Sequence, residues 1–314
     1  MKVEVKNLVR YFGDKIAVDN ISFSFESGNI FGFIGPNGAG KTTTIKVMAT
    51  LDLPTCGDVF YDGVSVTEYP DKIRGFVGFM PDALPEHSDI RVWEYLDFFA
   101  RAYGLKGGMR HSMVRQIEEF TNLGELRDKF VRALSKGMKQ RVCLARALIH
   151  NPEVLIMDEP AAGLDPRARL ELRELLKILA SQGKAILLSS HILSELQDMC
   201  DGAVIIERGK ILSAGKLDDI VAEQTAESRK NMTVLVQCLG DPEVVLLKAQ
   251  EMPLVTVARL EGSKVVLEIS SSEDEACWEL LNFLVKGGCR INSFQPQKLN
   301  LEHIFMKITH GQVQ

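Results

Sequence analysis

Gly35-Pro36-Asn37-Gly38-Ala39-Gly40-Lys41-Thr42 has the spacing of a loop that cradles phosphate. Glycines at these intervals let backbone N–H groups approach phosphate oxygens with no Cβ in the way. Residues 43–49, beginning with Thr43, have a helical pattern, so the loop opens onto a helix N-terminus whose dipole favours anions. Lys41 then comes within reach of the β- and γ-phosphates of a nucleotide, and Thr42 within reach of Mg²⁺. A second constellation is the apolar run Val154–Met157 followed by Asp158 and Glu159. Asp158 suits Mg²⁺ held through water, and Glu159 suits a general base for an attacking water. His191 follows the run Ala185–Ser190, where an imidazole would meet a γ-phosphate. Finally, Leu134-Ser135-Lys136-Gly137-Met138-Lys139-Gln140-Arg141 leads into a helix that Ser135 can cap. With Gly137 allowing close approach, it is a second helix N-terminus suited to an anion.

These residues need a frame that gathers them. Ile30–Ile34, Val154–Met157, 185–188 and 203–206 are short apolar runs, the pattern of strands buried on both faces of a parallel sheet. In such sheets ligands bind beyond the C-terminal ends of the strands, where Gly35, Asp158 and His191 fall. Val92, Tyr95, Leu96, Phe99 and Tyr103 recur at helical spacing, with Val114, Ile117 and Phe120 after them. They predict a helical insert over about 86–135.

A polar stretch at 218–230 separates the first domain, 1–225, from a second, 226–314. In the second, 232–239, 255–260, Lys264–Ile269 and 290–294 read as strands. Asp241-Pro242 opens one helix, and the capping box Ser272-Glu273-Asp274-Glu275 opens another. The order β-α-β-β-α-β is the ferredoxin-like pattern. A last helix starts at Asn300, with Leu299 and Ile304 placed as a hydrophobic staple. The fold class is α/β, a P-loop NTPase domain with a helical subdomain, followed by a small α+β domain.

Composition narrows the function classes. The chain has 314 residues, 37 Lys+Arg against 42 Asp+Glu, and a net charge of −5. It lacks the basic excess of a nucleic-acid binder, and none is expected as a partner. No apolar run reaches bilayer-spanning length, and the charged, alternating N-terminus does not read as a signal peptide. The six cysteines are dispersed with no Cys-x-x-Cys pair, so reduced thiols in the cytoplasm are expected rather than disulfides or a zinc site.

The order of the phosphate loop, Leu134-Ser135-x-Gly137, the Asp158-Glu159 strand end, Gly163-Leu164-Asp165 and His191 resembles the nucleotide-binding domain of ABC ATPases, over roughly residues 3–222. The resemblance implies two such domains paired head to tail. ATP would lie between the phosphate loop of one and the Ser-x-Gly helix of the other, placing Ser135 and Gly137 on the partner's ATP. It implies that Asp165 crosses the dimer near the catalytic site. Phe12 matches the aromatic that stacks on adenine, with Tyr11 as the alternative, and Val18 matches the apolar residue beside it. Two departures stand out. Lys136 and Met138 replace Gly and Gln of the usual signature, and Phe79-Met80-Pro81-Asp82 has Asp82 where the family places Gln. Asp82 keeps an acceptor oxygen for Mg²⁺ or water and is expected to be a coupling residue.

The tail at 300–309 resembles that of ATPases serving drug-, antibiotic- and polysaccharide-type exporters. This implies hydrolysis of ATP with Mg²⁺, transmembrane permease subunits on separate chains, and a homodimer or a heterodimer with a related ATPase. The chain would sit peripherally on the cytoplasmic face of the inner membrane. The alternative is a soluble or regulatory ABC ATPase. Against it, the chain holds one nucleotide domain where ribosome-acting members usually hold two. The interval from Lys41 to Ser135 also leaves no room for the coiled coil of DNA-repair types.

Overall fold

The computed structural model describes residues 1–84, 89–192, 199–217, 232–262, 264–271 and 274–297, with Leu196, Asp219 and Ile220. The chain divides into two compact units, the first over Met1–Leu217 and the second beginning at Asp218.

In the first unit, β1 (Lys2–Phe12), β2 (Lys15–Glu26) and β3 (Ile30–Ile34) lead into α1 (Lys41–Met48). Next come β4 (Cys56–Tyr61), β5 (Val64–Ser65), α2 (Pro70–Arg74) and β6 (Val77–Met80). Three helices follow, α3 (Val92–Ala102), α4 (Gly107–Phe120) and α5 (Lys136–Leu148). The unit continues through β7 (Val154–Met157), α6 (Pro166–Ser181), β8 (Ala185–Ser190), β9 (Gly202–Glu207) and β10 (Lys210–Lys216).

The larger sheet of this unit has the order β10-β9-β3-β8-β7-β6. It is parallel except for β10. Strands β3, β7, β8 and β9 are buried at every position, which is why they appear as unbroken apolar runs. An antiparallel sheet, β2-β1-β4-β5, was not anticipated from the sequence. One core joins the two sheets. Val3, Leu8 and Val59 from the antiparallel sheet and Phe33, Val204 and Ile206 from the parallel one share it with Ile45, Val47 and Met48 of α1. Each of those three side chains is fully buried, worth about 1.5–3 kcal/mol apiece. That anchorage fixes the loop ahead of α1.

The helical insert forms α3 and α4 where periodicity placed them. Its core does not stop near 135. Val142, Ala145 and Ile149 pack with Tyr95, Leu96 and Val114, so α5 belongs to it.

The second unit has β11 (Met232–Cys238), α7 (Pro242–Gln250), β12 (Val255–Glu261), β13 (Lys264–Ile269), α8 (Asp274–Lys286) and β14 (Ile291–Gln297). Its sheet runs β12-β13-β11-β14 with every pair antiparallel. Asp241 caps α7 by accepting from the Glu243 amide at 2.9 Å. The inner face of the sheet, including Val234, Val236 and Leu267, packs on Leu280 and Leu284 of α8. The capping box at 272–275 falls partly, and the helix from residue 300 wholly, outside the described residues, as does most of 218–231. All six cysteines are described, and no two form a disulfide. Among the described residues no helix is long and apolar enough to cross a membrane.

Candidate active site

The phosphate loop spans the turn from β3 to α1, and backbone geometry explains its glycines. At Gly35 a Cβ would sit 2.2 Å from the Ile206 carbonyl oxygen of the neighbouring strand. Gly40 precedes the helix at φ +104°, a left-handed conformation that a side chain resists. No side chain caps α1, and its first turn holds no acidic residue. Its leading amides are therefore not taken up by a capping side chain and meet no acidic residue in that turn, as an anion cradle requires. Asn37, Gly38 and Thr42 are exposed, Pro36 and Thr43 half-buried, and Ala39 buried.

Lys41 is the buried cation of the loop. Its Nζ donates to the carbonyls of Gly35 at 2.7 Å and Pro36 at 3.3 Å, and lies 3.5 Å from Glu159 Oε1. Burial lowers the Lys41 pKa, opposed by the carboxylates of Glu159 and Asp158. Glu159 also reaches His191, whose Nδ1 lies 2.9 Å from Oε2. One carboxylate thus bridges the loop lysine and the imidazole at the end of β8. Glu159 itself has φ +48°, uncommon for a residue with a Cβ. Ser189 helps hold it there. The Ser189 hydroxyl accepts from the Glu159 amide at 2.9 Å and donates to Asp158 Oδ1 at 2.7 Å. Asp158 is buried, and its amide donates to Met80 of β6 at 2.8 Å.

The sequence reading missed Ser189. Its signal was available: two serines ending a fully buried run, where a hydroxyl needs a partner. It missed Arg10 as well, whose guanidinium stacks 4.5 Å from the Phe12 ring while forming a fork with Asp52 at 3.0 and 2.8 Å. Phe12 is half exposed at the end of β1, and neighbouring Tyr11 is exposed too. Val18 is fully buried, and a Cβ on Gly40 would lie 3.5 Å from its Cγ2, so it supports the loop from beneath.

The remaining residues form a separate group. Ser135 caps α5, accepting from the Met138 amide at 3.4 Å. Asp165 caps α6, accepting from the Ala168 amide at 2.8 Å. Lys136 lies over Gly163, where a Cβ would meet its Nζ at 2.6 Å, and Gly137 faces Leu164 and Ala168. Among the described residues no hydrogen bond or ion pair joins this group to Lys41, Glu159 and His191. Asp82 is exposed, and its carbonyl accepts from Gln140 Nε2 of α5 at 2.9 Å.

Comparison with known proteins settles the family. The ABC transporter family model matches residues 18–162. Nod factor export ATP-binding protein I of Cupriavidus metallidurans is 33% identical over 307 residues, covering 98% of this chain and 97% of its own. The chain belongs to the ABC transporter family. Another relative, linearmycin resistance ATP-binding protein LnrL of Bacillus subtilis, is 29% identical over 98% of both chains. A solved ATP-binding subunit of an ABC transporter superposes with a TM-score of 0.65 at 32% identity, covering 71% of this chain and 93% of that one. As an ABC protein with this phosphate loop, the chain binds and hydrolyses ATP.

Proposed function

We propose that this ABC ATPase powers an exporter whose transmembrane subunits are separate chains, working peripherally at the cytoplasmic face of the membrane. Relatives aligned over nearly the whole chain are named for Nod factor export and linearmycin resistance, which supports an exporter over an importer. The observation that carries the catalytic reading is the bridge Lys41–Glu159–His191, assembled beyond the C-terminal ends of the parallel strands β3, β7 and β8.

In this reading Lys41 and the amides of residues 35–43 bind the ATP phosphates, and Phe12 stacks on adenine with Val18 behind the loop. Glu159 accepts a proton from the attacking water, and His191 holds that carboxylate and contacts the γ-phosphate. Thr42 and Asp158, with Asp82, would hold Mg²⁺, which would supply positive charge at the phosphates. The separation of Ser135, Gly137 and Asp165 from the Lys41 group supports their use on a second chain's ATP. The active form is then a dimer, of two copies or with a related ATPase. Asp82 is the coupling residue facing the membrane partner. The second unit, whose strand order fits a ferredoxin-like accessory domain, supports pairing or regulation and carries no chemistry.

Glu159→Gln tests the catalytic and dimeric parts together. It keeps shape but removes the base, so turnover should fall by ~10²-fold or more while ATP still binds. With ATP and Mg²⁺ the variant should elute as a dimer in size-exclusion chromatography. A variant that stays monomeric and hydrolyses ATP at the wild-type rate would contradict both assignments.

A further inference from the structure

Among the described residues no strand pairs with the outer side of β6, which closes the order of its sheet two residues before Asp82. Its inner carbonyls are used by the neighbouring segment. Phe76 accepts from the amides of Glu153 and Val154, and Met80 accepts from Asp158. Carbonyls alternate in direction along a strand, so those of Val77 and Phe79 face outward. Side chains of α5 and of the residues just after it take them. His150 Nε2 lies 3.1 Å from the Val77 carbonyl, and Arg146 Nη2 donates to Phe79 at 3.0 Å. Gln140 Nε2 donates to the Asp82 carbonyl, two residues beyond the strand, at 2.9 Å.

The spacings match. Residues 140 to 150 of a helical segment cover about 15 Å, and residues 77 to 82 of an extended one cover about 16 Å. The two therefore run antiparallel, side by side, with partners at both ends and near the middle. Close approach is built in at Gly78, where a Cβ would fall 2.4 Å from the Ala147 carbonyl oxygen. Other contacts stiffen the donors. Arg146 reaches the Tyr95 hydroxyl at 3.4 Å and lies 5.3 Å from the Phe99 ring centre. His150 stacks on Tyr103 at 3.8 Å and 9°.

We propose that α5 serves as the missing neighbour of β6, and that Gln140, Arg146 and His150 make the Ser135–Gly137 helix start and the Asp82 loop one rigid body. They are positioning residues for the ATPase. The inference rests on the reading that Ser135 and Gly137 complete a second chain's ATP site and that Asp82 meets the membrane partner. A displacement of the Asp82 loop is then delivered directly to the helix start that closes on ATP, with no slack between them.

The test places spin labels at positions 83 and 136 of the full chain, with Cys56 and Cys238 replaced by Ser, dilutes the labelled chain into excess unlabelled chain so that a dimer carries one labelled copy, and measures the separation by pulsed paramagnetic resonance. In the unaltered clamp the distance should be single and narrow, and the same with no nucleotide, with ADP, and with ATP in a Glu159→Gln background. Gln140→Ala should broaden it, and so should Arg146→Lys, which keeps charge but loses the fork. Without labels, Gln140→Ala should lower kcat about tenfold, the scale of one lost buried hydrogen bond, while KM for ATP stays within about twofold. A 83–136 distance that shifts with nucleotide in the intact clamp as much as in the variants overturns the proposal. Wild-type kcat in a folded Gln140→Ala chain does the same. Failure of Glu159→Gln to dimerise would instead sink the shared-site reading, and the nucleotide-free and ADP distances would still judge the clamp.

Discussion

The two units each lay helices on a sheet, yet one gathers chemistry and the other does not. In the first, β3, β6, β7 and β8 are parallel, so all four end at the same edge. Their last residues and the turns beyond them hold Gly35–Lys41, Asp82, Asp158–Glu159 and Ser190–His191. In the second, every neighbouring pair is antiparallel, so strand ends alternate between opposite edges. Its polar residues are scattered by the same rule that concentrates them in the first. Strand direction, more than composition, decides where a catalytic cluster can assemble.

The largest effect that sharpens this contrast is at the loop lysine. Lys41→Ala leaves phosphate oxygens without their buried cation and should weaken ATP binding on the order of a hundredfold. Titration with a fluorescent ATP analogue measures it, and unchanged affinity would remove the parallel edge from the argument. Next is Ser189→Ala, which frees the Glu159 amide and Asp158 together. Turnover should drop about tenfold with ATP affinity nearly unchanged, since one hydroxyl is lost and the phosphate loop is intact. Steady-state kinetics would show an equal rise in KM if Ser189 acted on binding instead.

A smaller effect concerns acid stability. Burial lowers the His150 pKa below the ordinary histidine value, and the nearby Lys184 charge adds to this, against the Val77 carbonyl. The unfolded chain then binds the extra proton first, so stability is full above the ordinary histidine range and falls as pH drops through it. His150→Asn should flatten the dependence of the first unit's melting temperature on pH between about 7.5 and about 5.5. An unchanged slope would mean another group carries it. The smallest effect is expected from the antiparallel unit. A chain ending near residue 225 should bind ATP within about twofold of the full chain, because the phosphate loop dominates binding. A folded but non-binding truncation would show that the second unit completes the site.

Much of this was legible because local rules enforce it. The phosphate loop, the Asp158-Glu159 strand end and His191 each follow a run buried on both faces, and such runs stand out in sequence. The helices α3 and α4 and the strands of the second unit followed from periodicity for the same reason. What stayed hidden depends on distant partners. The pairing of β1 with β4 joins Val3 to Tyr61 and Val9 to Cys56, and register shifts within β1 break its alternation. Lys136 departs from the usual signature, and Gly163, over which it lies, is distant in sequence. Gln140, Arg146 and His150 bond to main-chain carbonyls, which have no residue type to read.

The helix laid along β6 also bears on solubility. An outer strand normally shows a row of unpaired carbonyls and amides, a template on which another chain can add. Val77–Met80 carries no charge or proline that would deter such pairing. With its outward carbonyls taken by an arginine and a histidine, that border of the sheet offers a second molecule little to pair with. The side chains that register the helix against the strand thus also guard the ATPase against edge-to-edge aggregation, before any nucleotide or partner is involved.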